Sequence, residues 1–211
     1  SSEPIKKENL ITNRNLLTMT SGLNDESNLV IKPNLTYLAD AGNRWSYSNV
    51  FQLLINVIGK ASNQDFETYF NAKLKNKIGM DGFWNFGTIF TIYHSNTRSM
   101  ARFGLLFLNK GKWKTEQIIN ETYLNEAIST SQNINPSYGY LWWLNGKSKY
   151  MVPGSQTVYP TTLVPNAPSD MFSAMGAEDQ RIYVIPSKNM VIVRMGDASD
   201  PQNPNFALYG F

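Results

Sequence analysis

The apolar pattern of the chain changes period near Pro136, and this change limits the possible folds more than any other feature. Before it, apolar residues recur at helical spacing: Val50, Phe51, Leu54, Val57 and Ile58, then Phe66, Tyr69, Phe70 and Leu74, then Met100, Phe103, Leu106 and Phe107. After it come short β-branched or aromatic runs, YGYLWWL, KYMV, MFSAM, RIYVIP and MVIVRM, separated by Gly, Pro, Asn and Asp. Helices first and strands last predict a mixed α+β chain with an antiparallel sheet rather than a doubly wound one. The pattern reads as one domain over 1–211, with a helical and loop region over 12–135 and a sheet-forming region over 136–196.

The helix ends carry their own signals. Thr12 caps a short helix from Asn13 to Thr20, and Asp65 caps one that stops at Gly79. A helix over Thr97 to Lys110 stops at Gly111, and a less regular pattern marks a helix over Asn120 to Gln132. Residues 24–44 read as irregular loop broken by Pro33 and Gly42, and a helix is expected from Tyr47 to Lys60. Trp142 and Trp143, adjacent in a strand, are expected to be one buried and one half-buried.

Composition removes several function classes. The 211 residues hold 42% hydrophobic residues, which suits a packed core. A net charge of +3 without a basic run gives weak attraction to anions and no nucleic-acid groove. With no cysteine and a single histidine, His94, neither a thiolate nor a multi-histidine metal site is available. No metal or cofactor is expected. No apolar run approaches the roughly 20 residues that span a bilayer, and Ser1-Ser2-Glu3-Pro4 does not resemble a signal peptide.

Catalytic patterns are sparse. There is no G-x-S-x-G elbow, no P-loop and no G-x-G-x-x-G. The acids, among them Asp25, Glu26, Asp40, Asp65, Glu67, Asp170, Glu178 and Asp179, read as caps or solvated loop residues, and nothing pairs them for glycoside chemistry. His94 reads as a structural histidine, and Arg98 and Arg102 as a solvated or ion-paired helix face. Asn34-Leu35-Thr36 and Asn120-Glu121-Thr122 fit the glycosylation pattern, which is short enough to arise by chance.

The stretch Trp45-Ser46-Tyr47-Ser48-Asn49 remains, where loop turns into helix. A tyrosine is a general base only if cations and hydrogen bonds lower its pKa from about 10. On its own the stretch also fits a half-buried aromatic followed by a helix-capping asparagine.

Five ordered blocks tip that balance: RNLLTMTSGL, WSYSN, SMARFGLLFLNKGKW, YGYLWWL and FSAMGAEDQRIYVIPSKNMVIVRMG. Together they resemble the serine beta-lactamase-like hydrolases of the class C type, which include DD-peptidases, family VIII esterases and 6-aminohexanoate-dimer hydrolases. The resemblance implies a beta-lactamase-like fold, a sheet flanked by helices with a helical subdomain. It also implies a bacterial periplasmic or secreted setting.

Residue by residue, Tyr47-Ser48-Asn49 matches the family's Tyr-x-Asn motif. The resemblance makes Tyr47 the base, and Asn49 a ligand for the substrate amide that also positions a lysine. Ala174-Met175-Gly176 matches the third motif lining the acyl group, with the Ala177 N–H as an oxyanion donor. Gln180 would brace that strand. The cationic or imidazole first position of the third motif is absent, and Asp179-Gln180 stands where relatives have Gly-Gln. A small ester or amide therefore fits better than efficient beta-lactam turnover.

The family's nucleophile motif, Ser-x-x-Lys, does not occur. Its nearest forms run from Ser95 to Arg98 and from Ser99 to Arg102. By the resemblance the 211 residues are the middle and late part of a longer hydrolase, incomplete at both ends, with the family's C-terminal helix expected beyond NFALYGF. The serine segment would then lie in a longer precursor or in a second chain. The competing expectation is a pseudoenzyme that binds peptide or peptidoglycan-like ligands. A small molecule or peptide is the expected partner, and a fragment alone would expose apolar sheet surface and associate.

Overall fold

The structure is a computed structural model that describes residues 9–24 and 26–198. Asp25, Ser1-Ser2-Glu3-Pro4 and the final NFALYGF lie outside the described residues. Helices and antiparallel sheets are mixed as the sequence predicts, with most helices before Pro136 and the main sheet after it.

Helix α1 (Asn13–Leu17) starts at Thr12, whose side chain accepts from the Asn15 N–H while Asn15 bonds back to the Thr12 N–H. It ends earlier than the expected Thr20. The segment after Ser48 begins as a tight 3₁₀ turn (Asn49–Gln52) before becoming helix α2 (Leu53–Ser62), so Ser48 is extended and Tyr47 lies outside the helix. Asp65 caps α3 (Phe66–Phe70), which continues through a π turn (Asn71–Lys75) and a last turn (Asn76–Ile78) to Gly79 at φ 68°. Asn96 caps α4 (Thr97–Leu108), and α5 (Glu121–Ala127) is shorter than its sequence pattern.

A hairpin interrupts the helical region. Strands β1 (Gly82–Phe86) and β2 (Thr91–Ser95) pair antiparallel, with Trp84 opposite Tyr93. Both of these rings pack on Phe70 of α3, with centroids 5.3 and 5.0 Å away. Two-residue strands β3 (Lys112–Trp113) and β4 (Glu116–Gln117) form a second small ladder.

The main sheet has the order β5 (Trp143–Leu144), β6 (Phe172–Met175), β7 (Arg181–Ile185) and β8 (Met190–Arg194), antiparallel throughout. KYMV contributes only an isolated bridge, Tyr150 to Tyr159. Alternation along the strands sorts the side chains. Phe172, Ala174, Ile182, Val184, Val191 and Val193 belong to the core that includes Phe107 of α4. Gly104 brings α4 close: a Cβ there would sit 2.6 Å from Val191 and 3.0 Å from Ile182.

Trp142 and Trp143 depart from expectation, since both are buried, at 5% and 1% exposed. Consecutive residues face opposite sides of an extended chain, and here both sides are covered. Trp142 packs on Phe107 and Phe172, while Trp143 packs on Trp45, Tyr47 and Tyr138.

Candidate active site

Tyr47 sits on the second of these two cores, built from Met19, Trp45, Tyr138, Trp143, Tyr150, Met151 and Leu163. Its ring stacks on Trp143 at 6.1 Å and meets the edge of Tyr138 at 6.2 Å. Met175 of the third motif packs against the same cluster. The fold thus brings two distant motifs, 128 residues apart, to one aromatic wall.

The electrostatics of Tyr47 are those of a neutral phenol. Burial pushes its pKa above the ordinary tyrosine value, and the Arg181 guanidinium pulls the other way with a smaller effect. Tyr138, buried beside it, is pushed well above that value, first by burial and then by the Tyr47 charge.

Asn49 follows Tyr47 but is already committed. Its Nδ2 donates to the Asn28 carbonyl at 2.9 Å, tying the start of the 3₁₀ turn to the long loop before it. Ser48 precedes the turn, so Asn49 is its first residue and not its cap.

The third motif ends β6. Beyond it the chain turns sharply: the Gly176 N–H donates to the Gln180 carbonyl at 2.9 Å, and the Gln180 N–H to the Ala177 carbonyl at 3.2 Å. This closure leaves the Ala177 N–H out of the turn's own bonds, at an exposed position. Glu178 and Asp179 both hold φ 56°, a left-handed conformation that favours glycine. Aspartate is among the residues that tolerate it, so Asp179 holds a backbone position that glycine would also suit.

Asp179 also does something glycine cannot do. Its Oδ1 accepts from Arg181 Nη2 at 2.6 Å, with both side chains almost fully buried, while Arg181 Nη1 donates to the Gly176 carbonyl at 2.5 Å. The carboxylate thus satisfies the guanidinium that holds the third-motif turn. Gln180 reaches the end of β8: its Oε1 accepts from the Gly196 N–H at 3.2 Å, and its Nε2 donates to the Glu178 carbonyl at 2.9 Å.

Arg181 is the residue that the sequence reading missed. A charged residue opening the apolar run RIYVIP, two positions after an acid, was the available signal. Register sharpens it, because Arg181 pairs with Met175 and so shares its face of the sheet. Two buried polar atoms nearby, Trp45 Nε1 and Ser173 Oγ, have no hydrogen-bond partner among the described residues.

The remaining sequence candidates are structural. Arg102 donates to the Ile78 carbonyl at 3.0 Å, closing the end of the α3 segment, and lies over the Trp113 ring. Exposed His94 stacks on Phe83 at 5.2 Å. Asn34 donates to the Leu29 carbonyl, and Asn120 caps α5. No helix among the described residues is long and apolar enough to cross a membrane.

A four-stranded antiparallel sheet covered by α4, with Tyr47 and Met175 of β6 packed on one aromatic cluster, fits a beta-lactamase-like fold. Solved structures share it. A beta-lactamase from Mycobacterium bovis superposes with a TM-score of 0.68 at 18% identity, over 92% of this chain and 68% of that one. A penicillin-binding protein from Bacillus halodurans gives 0.59 at 16%, over 90% and 69%. Simvastatin synthase from Aspergillus terreus gives 0.59 at 12%, over 91% and 64%. The chain spans 52% of the octameric penicillin-binding protein homologue from Pyrococcus abyssi. No curated protein sequence matches. The Beta-lactamase family model matches residues 3–207, and the chain belongs to that family.

Proposed function

We propose that the chain carries the base and oxyanion half of a class C-type serine hydrolase, which cleaves a small ester or amide through an acyl-enzyme. The serine hydroxyl attacks the acyl carbon and passes its proton to Tyr47, which returns a proton to the leaving group; water, giving its proton to Tyr47, then attacks the acyl-serine, the acyl–oxygen bond breaks to release the carboxylic acid, and Tyr47 returns the proton to the serine oxygen. Asn49 binds the substrate amide, Ala174, Met175 and Gly176 line the acyl group, and the Ala177 N–H faces the developing oxyanion. Gln180 braces the turn. The serine and its lysine come from a Ser-x-x-Lys segment outside these 211 residues, in the same polypeptide or a second chain.

The observation that carries this reading is the convergence of Tyr47 and Met175 on one aromatic cluster. The exposed position of Ala177 at the adjoining turn, with its N–H outside the turn's own bonds, supports it. The raised pKa of Tyr47 supports the need for an outside lysine, because a half-buried, desolvated phenol accepts a proton only after a nearby cation has stabilised its ionised form. The substrate is a small molecule or peptide, without cofactor, and the setting is the bacterial periplasm or exterior.

A second reading, a non-catalytic peptide-binding domain, draws on the engagement of Asn49 with Asn28. Ester turnover by the full-length protein separates the two. On the hydrolase reading, Tyr47→Phe lowers kcat by about 10²- to 10⁴-fold while the protein stays folded. Wild-type turnover that Tyr47→Phe leaves intact rules out Tyr47 as the base.

A further inference from the structure

We propose that Arg181 is a positioning residue for acyl transfer, whose buried guanidinium aims the Ala177 N–H by holding the carbonyl at the other end of the same peptide unit. This rests on the hydrolase reading above. The Gly176 carbonyl and the Ala177 N–H belong to one planar trans peptide, so they point in opposite directions and turn together. Whatever fixes the carbonyl fixes the donor.

Arg181 Nη1 donates to the Gly176 carbonyl at 2.5 Å and to the Gln180 carbonyl at 3.2 Å, while Nη2 donates to Asp179 Oδ1 at 2.6 Å. The fork thus grips both ends of the turn and the carboxylate between them. Arg181 and Asp179 are 4% and 3% exposed, so little water competes for these bonds. Two successive non-glycine residues at φ 56° form a backbone that the chain does not favour by itself, and a brace from outside the turn then decides its geometry. The charge-assisted bond to Gly176 also polarises the peptide, which makes the N–H at its far end a better donor.

Arg194 provides the comparison within the same turn. It lies opposite Arg181 in the β7–β8 register and donates to the Asp179 carbonyl at 3.0 Å and the Glu178 carbonyl at 3.4 Å. Its remaining bond goes to the Asp197 carbonyl, and none of the three reaches Gly176. Arg194 braces the turn, whereas Arg181 holds the peptide that carries the donor. Arg181 also stands opposite Met175, which packs on the Tyr47 cluster, and its charge favours the ionised phenol against the effect of desolvation.

The test measures kcat and KM of the full-length protein for p-nitrophenyl acetate, corrected for the folded fraction by circular dichroism. Three variants are compared: Arg181→Lys, the double variant Asp179→Asn with Arg181→Met, and Arg194→Lys. Lysine keeps the charge but is a point donor that cannot span the turn as the planar fork does. Loss of a whole oxyanion donor costs about 10²- to 10³-fold in kcat, so a misaimed one in Arg181→Lys is expected to cost about 10- to 10²-fold. KM is expected to stay within about twofold, since the bond is made in the transition state. The double variant strands no buried charge and is expected to lose at least as much kcat. Arg194→Lys leaves the Gly176 carbonyl held and is expected to keep kcat within about twofold. With the wild type active, unchanged kcat in the Arg181 variants, a loss that Arg194→Lys matches, or a loss carried by KM alone overturns the role of Arg181. Absence of turnover by the wild type overturns it together with the hydrolase reading.

Discussion

Arg181 and Asp179 form a buried ion pair, 2.6 Å between Nη2 and Oδ1, directly beneath the turn that ends the third motif. The same guanidinium donates to the Gly176 carbonyl and exerts its charge on Tyr47. One buried cation therefore links the turn that presents the Ala177 N–H to the aromatic wall that holds the phenol.

Removing one member of this pair strands a buried charge. Asp179→Asn and Arg181→Met are each expected to cost about 3–5 kcal/mol in urea unfolding. The double variant should cost clearly less than the sum of the two, since no unpaired charge then remains. Simple additivity would show that the two side chains do not act as a unit.

Alkaline pH tests the aromatic wall. Tyr47 and Tyr138 both have folded pKa values raised by burial above the ordinary value of about 10. The folded state then holds these protons more tightly than the unfolded chain. Their contribution to stability is complete below about pH 10 and is lost as pH climbs toward the folded values. Tyr138→Phe should flatten this alkaline loss in a Tm-against-pH series, whereas an unchanged slope would mean that Tyr138 ionises as it does in water.

The contact of α4 with the sheet depends on Gly104. Gly104→Ala places a methyl within 3.0 Å of Val191 and Ile182, both branched side chains in a packed core. A loss of about 1–3 kcal/mol is expected in denaturant unfolding. A neutral or stabilising change would show that the sheet face moves away without cost.

Local signals decided how much of this was legible. Thr12, Asp65 and Asn120 cap their helices because short polar side chains reach orphan N–H groups, and this pattern is visible in a string of letters. The three long runs after Met171 are strands for the same local reason. The β1–β2 hairpin was not read, although GFWNF and TIYHS alternate, because it lies between helical patterns and its outer residues Phe83 and Ile92 are exposed rather than polar. The burial of the Trp142–Trp143 pair was underestimated because it depends on distant residues, Trp143 packing on Trp45 and Tyr47, about 100 residues away. At the candidate site the resemblance pointed to Tyr47, Asn49 and Ala174-Met175-Gly176 by their letters alone. The buried pair of Asp179 with Arg181 and the commitment of Asn49 to Asn28 follow from backbone turns that no spacing rule encodes.

The most direct test of the central claim, that this chain works with an outside serine through an acyl-enzyme, is covalent labelling of the full-length protein. A fluorophosphonate is added, and the intact mass and the labelled peptide are read. The predicted result is a single adduct on the serine of a Ser-x-x-Lys segment outside these 211 residues, with labelling slowed by Tyr47→Phe. No adduct, or an adduct on a serine within this chain, would contradict it.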